Sequence, residues 1–184
     1  MSESDLAPAF LVAMDQLWDP NFRGSVVLML HHDDQGAVGL VINRATDLPM
    51  ISLCETFGFP WRGAPDMQVD WGGPVQPELG WMLLGKGGPE LPEVESVTEG
   101  IRFTRSNEVL REVAQNPPRR LRMFLGYAGW GPGQLERELA QGAWLVAPVS
   151  SRLVFEAGKD RLWDDVVRSL GIEPATLSQT QGVN

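Results

Sequence analysis

Two stretches near the start of the chain, SVVLML (Ser25–Leu30) and AVGLVIN (Ala37–Asn43), are apolar at almost every position, where a strand with one solvated face would alternate. They read as strands covered on both faces. The intervening HHDDQG has the composition of a turn, so the two predict a central β-hairpin. Further strands are predicted at Met67–Trp71, Trp81–Leu84 and Ile101–Thr104, in RLRMFLGYA from Arg120, and in the short runs AWLVAPV and RLVFEA.

Helical spacing appears in MISLCETF, which Gly58 ends by tolerating left-handed backbone angles. A second helix is predicted from about Asn107 to Gln115, with Ser106 as N-cap and Val109, Leu110 and Val113 on one face. A third has Pro132 near its first turn and Gly142 just past its end. The last covers about Asp160 to Leu170, where Leu162, Trp163, Val166, Val167 and Leu170 form the apolar stripe and Gly171 terminates it. Strands come early and helices later, which predicts an α+β fold. The 184 residues suit one domain spanning 1–184, with loose ends at about 1–7 and 178–184.

Composition narrows the function classes. No apolar run approaches the ~20 residues that cross a bilayer, and the run from Ala9 to Met14 is too short for a secretory signal. Retention in the cytoplasm, away from membranes, is the expectation. Cys54 is the only cysteine, which excludes an intramolecular disulfide and a cysteine-based zinc site. A net charge of −9 argues against direct nucleic-acid binding, which rests on neutralising phosphates with Lys and Arg. The charge is uneven, however: Ile101–Arg122 holds six arginines (102, 105, 111, 119, 120 and 122) against two acids. That segment reads as a solvated face paired with the surplus acids, and it is also the best place for an anionic partner.

The most conspicuous local sequence is GYAGWGPGQLE, 126–136, with the order strand, glycine-rich turn, helix that presents backbone amides to phosphate. The spacing does not support that use. Gly129 and Gly131 give G-x-G, but Gln134 stands where a dinucleotide fingerprint needs its third glycine, and the Gly-Lys-Ser/Thr of a phosphate loop is missing. Glu136 and Glu138 in the first turns of the helix would repel an anion. His31 and His32, the only histidines, point to opposite faces of an extended chain and cannot aim at one ion, so no metal site is expected. No cofactor is implied either. Cys54 lies in an apolar helix and reads as a buried, inert thiol. Ser25 lies in a buried strand without a nucleophile elbow. The residues assemble no catalytic constellation, which leans the reading away from an enzyme without deciding it.

A second glycine-rich corner, WGGPVQPELGW, begins at Trp71. If the two corners meet, Trp71, Gly72, Gly73, Tyr127 and Trp130 would form a concave aromatic wall with exposed amides, and Arg23, Asn43 and Arg44 would be its polar lining. The competing account is that these aromatics simply pack.

FLVAMDQLWDPNFRGSVVLM, GAVGLVINR, WGGPVQPELGW and LGYAGWGPGQLERELAQGAWLVAP together, in this order, resemble the AlgH/YqgE family of bacterial proteins over nearly the whole chain. The resemblance implies a bifurcated β-sheet that includes a small closed barrel, surrounded by helices. It also implies a regulatory or interaction protein, since some members are described as transcriptional regulators, and it brings no catalytic residue to carry over. Such a protein would act through a protein partner or a small ligand. The alternative is an enzyme or metabolite-binding protein with its site between the two glycine-tryptophan corners. Four positions depart from the family pattern: Asp15 in place of proline, Gly24 in place of a second arginine, Ala45 in place of proline, and Gly85 in place of histidine.

Overall fold

The computed structural model describes residues 5–15, 17, 19–87 and 90–178. Its strands are β1 (Ala9–Ala13), β2 (Val26–Asp33), β3 (Gly36–Val41), β4 (Ala45–Pro49), β5 (Gln68–Trp71), β6 (Val75–Leu84), β7 (Glu95–Thr98), β8 (Ile101–Thr104), β9 (Leu121–Trp130) and β10 (Trp144–Ala147). The helices are α1 (Met50–Thr56), α2 (Asn107–Gln115), α3 (Gln134–Ala140), α4 (Ser151–Glu156), α5 (Leu162–Ser169) and α6 (Pro174–Ser178). The mixed α+β class follows, with a large sheet that is antiparallel except where β5 runs parallel to β9.

Strand alternation divides the core. Phe10 and Val12, Val26 and Leu28, Leu40 and Ile42, Leu83 and Phe124 face one side, where α4 and α5 cover them with Leu153, Val154, Leu162, Val166 and Val167. The alternate residues of β1–β3 face the other side beneath α3, around Trp130 and Trp144. Met82, Leu84 and Met123 lie on that second side under α1 and α2. The doubly apolar strands are thus covered on both faces, as their lack of alternation requires.

The main ladder runs β10-β1-β2-β3-β9-β6-β8-β7 and is open, because β10 and β7 end it without pairing to each other. The small closed barrel implied by the family resemblance is therefore not formed. With helices on both faces, the sheet buries its apolar surface without curling onto itself. It branches instead. The second half of β9 pairs with β3 (Gly39↔Ala128, Ala37↔Trp130), and on the same edge its first half pairs with β5 (Asp70↔Phe124). β4 continues from β3 and pairs with β5, so β5 is a wedge in a fork between β4 and β9.

Several expectations change. β2 continues through both histidines to Asp33, and the turn is confined to Asp34 and Gln35. β9 likewise runs through the glycine-rich stretch to Trp130, and α3 starts only at Gln134, after Gly133 in a left-handed conformation. RLVFEA is not a strand but part of α4; the Ser150 hydroxyl accepts the Leu153 amide and caps a helix whose Leu153 and Val154 are buried. Ala9–Ala13, considered only as an apolar run, is the strand between β10 and β2. Of the ends expected to be loose, residues 1–4 and 179–184 lie outside the described residues, while the Leu6 amide donates to His32 Nδ1 at 3.0 Å.

Candidate functional site

The two glycine-rich corners do meet, backbone against backbone. β5 and β6 flank opposite edges of β9, so the four residues from Trp71 to Pro74 must carry the chain across that strand. Gly72 sits at the vertex of the fork. Its amide donates to Leu125 O and its carbonyl accepts from the Val41 amide, each at 2.8 Å. Gly73 (φ +150°) lies on Tyr127, and Gly126 (φ +77°) lies on the Gly73 carbonyl; a β-carbon at either glycine would overlap the facing backbone. Glycine is needed here for close approach, not to cradle a phosphate.

The aromatic residues of these corners then diverge. Trp130 is buried with Trp144 and Phe22, at ring-centroid distances of 6.0 and 6.1 Å. The Glu138 carboxylate accepts both indole N–H groups, from Trp130 at 2.7 Å and from Trp144 at 3.1 Å. Glu136 is engaged as well: its carboxylate lies 2.6 Å from Nε2 of buried His32, and its own backbone amide first, then His32, hold it below the usual carboxylate range. Because the Leu6 amide occupies Nδ1, Nε2 is the nitrogen that donates to Glu136. His31 lies on the other face of β2, exposed and paired with Asp33 at 2.8 Å. Tyr127 points away from Trp130 and meets Trp81 edge-on at 5.6 Å. Trp71 is half-buried beneath the Arg44 guanidinium, 5.2 Å from its ring centroid.

The polar residues expected to line the pocket hold a turn instead. The Asn43 carboxamide accepts the Val26 amide at 2.9 Å and donates to Gly24 O at 3.0 Å. Arg44 donates to the carbonyls of Asn21 and Arg23, and burial lowers its guanidinium below the usual value. The Arg23 side chain is exposed beside a shallow cavity of about 300 Å³ that Asp15 and Asp19 also line. An open groove of about 380 Å³ runs along the second half of β9, touching both Tyr127 and Trp130 although their side chains pack on opposite faces, and His31, Asp33 and Val75 line it too. Arg23, Asn43 and Arg44 do not line it.

A different place collects buried charge. At the fork, Asp70 of β5 is 3% exposed, yet it carries a carboxylate. Its Oδ2 accepts Arg122 Nε at 3.2 Å and Nη2 at 2.8 Å. Arg122, on β9, also donates from Nη2 to Ile42 O at 2.7 Å and from Nη1 to Val154 O at 3.0 Å, and its guanidinium lies 4.8 Å from the Phe124 ring centroid. One guanidinium therefore ties together the end of β3, the wedge strand β5, β9 and α4. The other carboxylate oxygen, Oδ1, is buried and has no directed hydrogen bond. The ammonium of Lys159, between α4 and α5, stands 2.9 Å away as its ionic partner.

These residues form one wall of a cleft of about 440 Å³, which Asp66, Gln68, Leu121 and Phe155 complete. The volume is in the range of small-ligand pockets. Sequence reasoning did not single out Asp70 or Lys159, and it placed Arg122 only within a basic segment. The available signal was an ionisable residue inside each of two otherwise apolar strands, VDW and LRMF.

The other arginines of that segment are largely engaged. Arg120 pairs with Glu156 at 2.7 Å, Arg102 donates to Gly85 O at 2.7 Å, and Arg105 and Arg111 lie over Trp81 and Phe59. Gly85 leaves the space that the Arg120 side chain fills. Cys54 is buried and free, and burial pushes its thiol pKa up. A thiol alkylating reagent at neutral pH should therefore leave the native protein unmodified and label it after denaturation in guanidinium. Rapid native labelling would contradict this environment.

The AlgH-like family model matches residues 10–175. A "UPF0301 protein" of Myxococcus xanthus is 42% identical over 182 residues, covering 98% of this chain and 99% of that protein. Another from Laribacter hongkongensis is 41% identical and covers 96% of each chain. Among solved structures, the solution structure of the AlgH protein from Pseudomonas aeruginosa superposes with a TM-score of 0.81 at 31% identity, covering 100% of this chain and 97% of that one. A crystal structure from Corynebacterium diphtheriae, at 22% identity and a TM-score of 0.74, covers 99% and 94% and shares the fold.

Proposed function

The chain belongs to the AlgH-like family, and from that premise we propose that it is a regulatory binding protein, without catalysis of its own, that responds to a small ligand or a partner held at the fork cleft. The observation that carries this reading is Asp70, a buried carboxylate in the lining of the cleft, held by Arg122 through Oδ2 and faced at Oδ1 by the partly exposed Lys159 ammonium without a directed hydrogen bond. The position of the cleft supports it too. A ligand there touches β5, β9 and the α4–α5 connection together, so it can bias how these elements are held.

The non-catalytic part of the proposal is supported by the nucleophile candidates. Cys54 and Ser25 are buried, and the Ser25 hydroxyl donates to Phe22 O at 2.7 Å. His32 is sequestered between Leu6 and Glu136. Regulation by direct contact with DNA is not proposed, since the charge is −9 and the arginines of the basic segment are largely committed within the chain.

A thermal-shift screen of small metabolites tests the proposal. A ligand at about a hundred times its Kd adds about 2.7 kcal/mol, which for a chain of this length raises Tm by about 5–10 °C. Lys159→Ala and Asp66→Asn should alter the response. A screen that finds no ligand, or finds ligands indifferent to both substitutions, counts against the cleft.

A further inference from the structure

We propose that the fork cleft is a binding site for a small ligand bearing a primary ammonium group, which takes the place of the Lys159 ammonium on Asp70 Oδ1. The inference rests on the proposed role of the cleft as a binding site and adds the chemistry of what binds.

The donor and acceptor inventory decides the sign of the ligand. Arg122 sends bonds to Asp70 Oδ2, Ile42 O and Val154 O, so its charge is already neutralised and its fork is turned inward. It does not offer an anion a bidentate seat. What the site holds least firmly is Asp70 Oδ1, which is buried, receives no directed hydrogen bond and has the Lys159 ammonium as its ionic partner. A carboxylate oxygen with free lone pairs takes a donor, and in a buried place it takes a cationic donor best.

Lys159 already fills that role as a tethered stand-in. Its ammonium is 2.9 Å from Oδ1, while its side chain is 40% exposed against 4% for Asp70. The pair is therefore lopsided. The aspartate is fixed in the wall by Arg122, whereas the lysine stem reaches in from the solvent side of a connection between two helices. Swinging Lys159 outward returns its ammonium to water, and the incoming ammonium takes over the contact with Oδ1 so that Asp70 is not left uncompensated. The outward swing uncovers Asp70, and Asp66 stands on the rim as a second carboxylate. Because Arg122 balances Asp70, Asp66 is the surplus charge that favours a cation in the uncovered cleft, and the chain's charge of −9 favours approach of one.

The remainder of the lining sets the body of the ligand. Met67, Leu121, Phe155 and Ala157 line part of the cavity of about 440 Å³, but Asp66, Gln68 and Lys159 stand beside them and its exposed surface is more polar than apolar. A short, compact body behind the ammonium group fits that volume, with room for a hydrogen-bonding group beside Gln68.

The test titrates n-pentylamine, with sodium butyrate and inorganic phosphate as the opposite-charge arms, into the isotopically labelled full-length chain. Amide shifts of Gln68, Asp70 and Ala157 report on the cleft. Lys159→Ala removes the tethered competitor, so pentylamine should bind on the order of tenfold tighter than to the parent protein. Asp66→Asn should weaken it severalfold, and Asp70→Asn, if it folds, should abolish the shifts at the cleft. Unchanged or weaker amine binding by Lys159→Ala overturns the inference. Binding of butyrate or phosphate at the same amides, lost in Lys159→Ala, also overturns it but leaves the cleft a ligand site. If neither amine nor anion perturbs these amides in either protein, the inference fails, and only a hit at the cleft in the metabolite screen then keeps the binding-site reading.

Discussion

Gly73→Ala and Gly126→Ala are each expected to destabilise the protein by about 2–6 kcal/mol, from roughly 1–3 kcal/mol of backbone strain and a similar overpacking term. Gly73 has φ +150° and Gly126 has φ +77°, regions that L-residues rarely occupy. The larger consideration is what the new methyl would meet. At Gly73 it overlaps the Tyr127 carbonyl group and lies 2.5 Å from the Ala128 amide; at Gly126 it overlaps the Gly73 carbonyl. In both cases backbone of the crossing segment meets backbone of β9, so relief requires separating the two. That separation would strip the hydrogen bonds through which Gly72 joins Leu125 and Val41. Gly24→Ala is the control. Gly24 also has a positive φ (+69°), but a methyl group there would meet nothing within 4 Å, so only the conformational cost of about 1 kcal/mol remains. Urea denaturation would resolve the contrast, since typical domains have only about 5–15 kcal/mol in total. If Gly73→Ala lost no more than Gly24→Ala, the backbone crossing would not be the constraint that it is taken to be.

The crossing also shows where sequence reading stops. Elements defined by their own local signals were legible: α2 starts after Ser106, whose hydroxyl accepts the Val109 amide, and ends at Gln115, while β8 spans Ile101–Thr104. Their caps and apolar faces are contained in a few neighbouring residues. RLVFEA failed because its aromatic and β-branched residues favour a strand, whereas capping by Ser150 and burial against the sheet decide for a helix. GYAGW looked like a corner because glycines usually punctuate elements. Here they mark the point where another part of the chain, some fifty residues away in sequence, passes over a continuing strand. The aromatic wall was a reasonable expectation from proximity of the corners, but strand alternation sends Tyr127 and Trp130 to opposite faces. The charged centre of the fork was harder still. Asp70, Arg122 and Lys159 come from three elements, and only the pairing of β5 with β9 brings the first two together.

Removing either partner of that centre should be as damaging as blocking the crossing. Asp70→Ala leaves the largely buried Arg122 guanidinium without its counter-charge, and Arg122→Ala leaves Asp70 buried with only Lys159 while Ile42 O and Val154 O lose their donor. Breaking a buried pair in this way costs about 3–5 kcal/mol, because an uncompensated charge stays behind. Arg122→Lys should recover little, since a single ammonium cannot serve Oδ2 and two carbonyls lying in different directions. Asp70→Leu with Arg122→Met removes both charges and keeps apolar volume, so the double variant should be more stable than either single substitution. Denaturant midpoints for the complete cycle give the coupling directly, and strictly additive losses would mean that the two residues do not act as a unit. Amide exchange then locates the damage. With the guanidinium gone, the Val41 and Gly72 amides should exchange faster than those of β1 and β2, because Arg122 holds the wedge strand against the end of β3 at the point where those amides are bonded. Uniform acceleration throughout the sheet would instead indicate a general loss of stability, and the guanidinium would not then be what keeps the fork together.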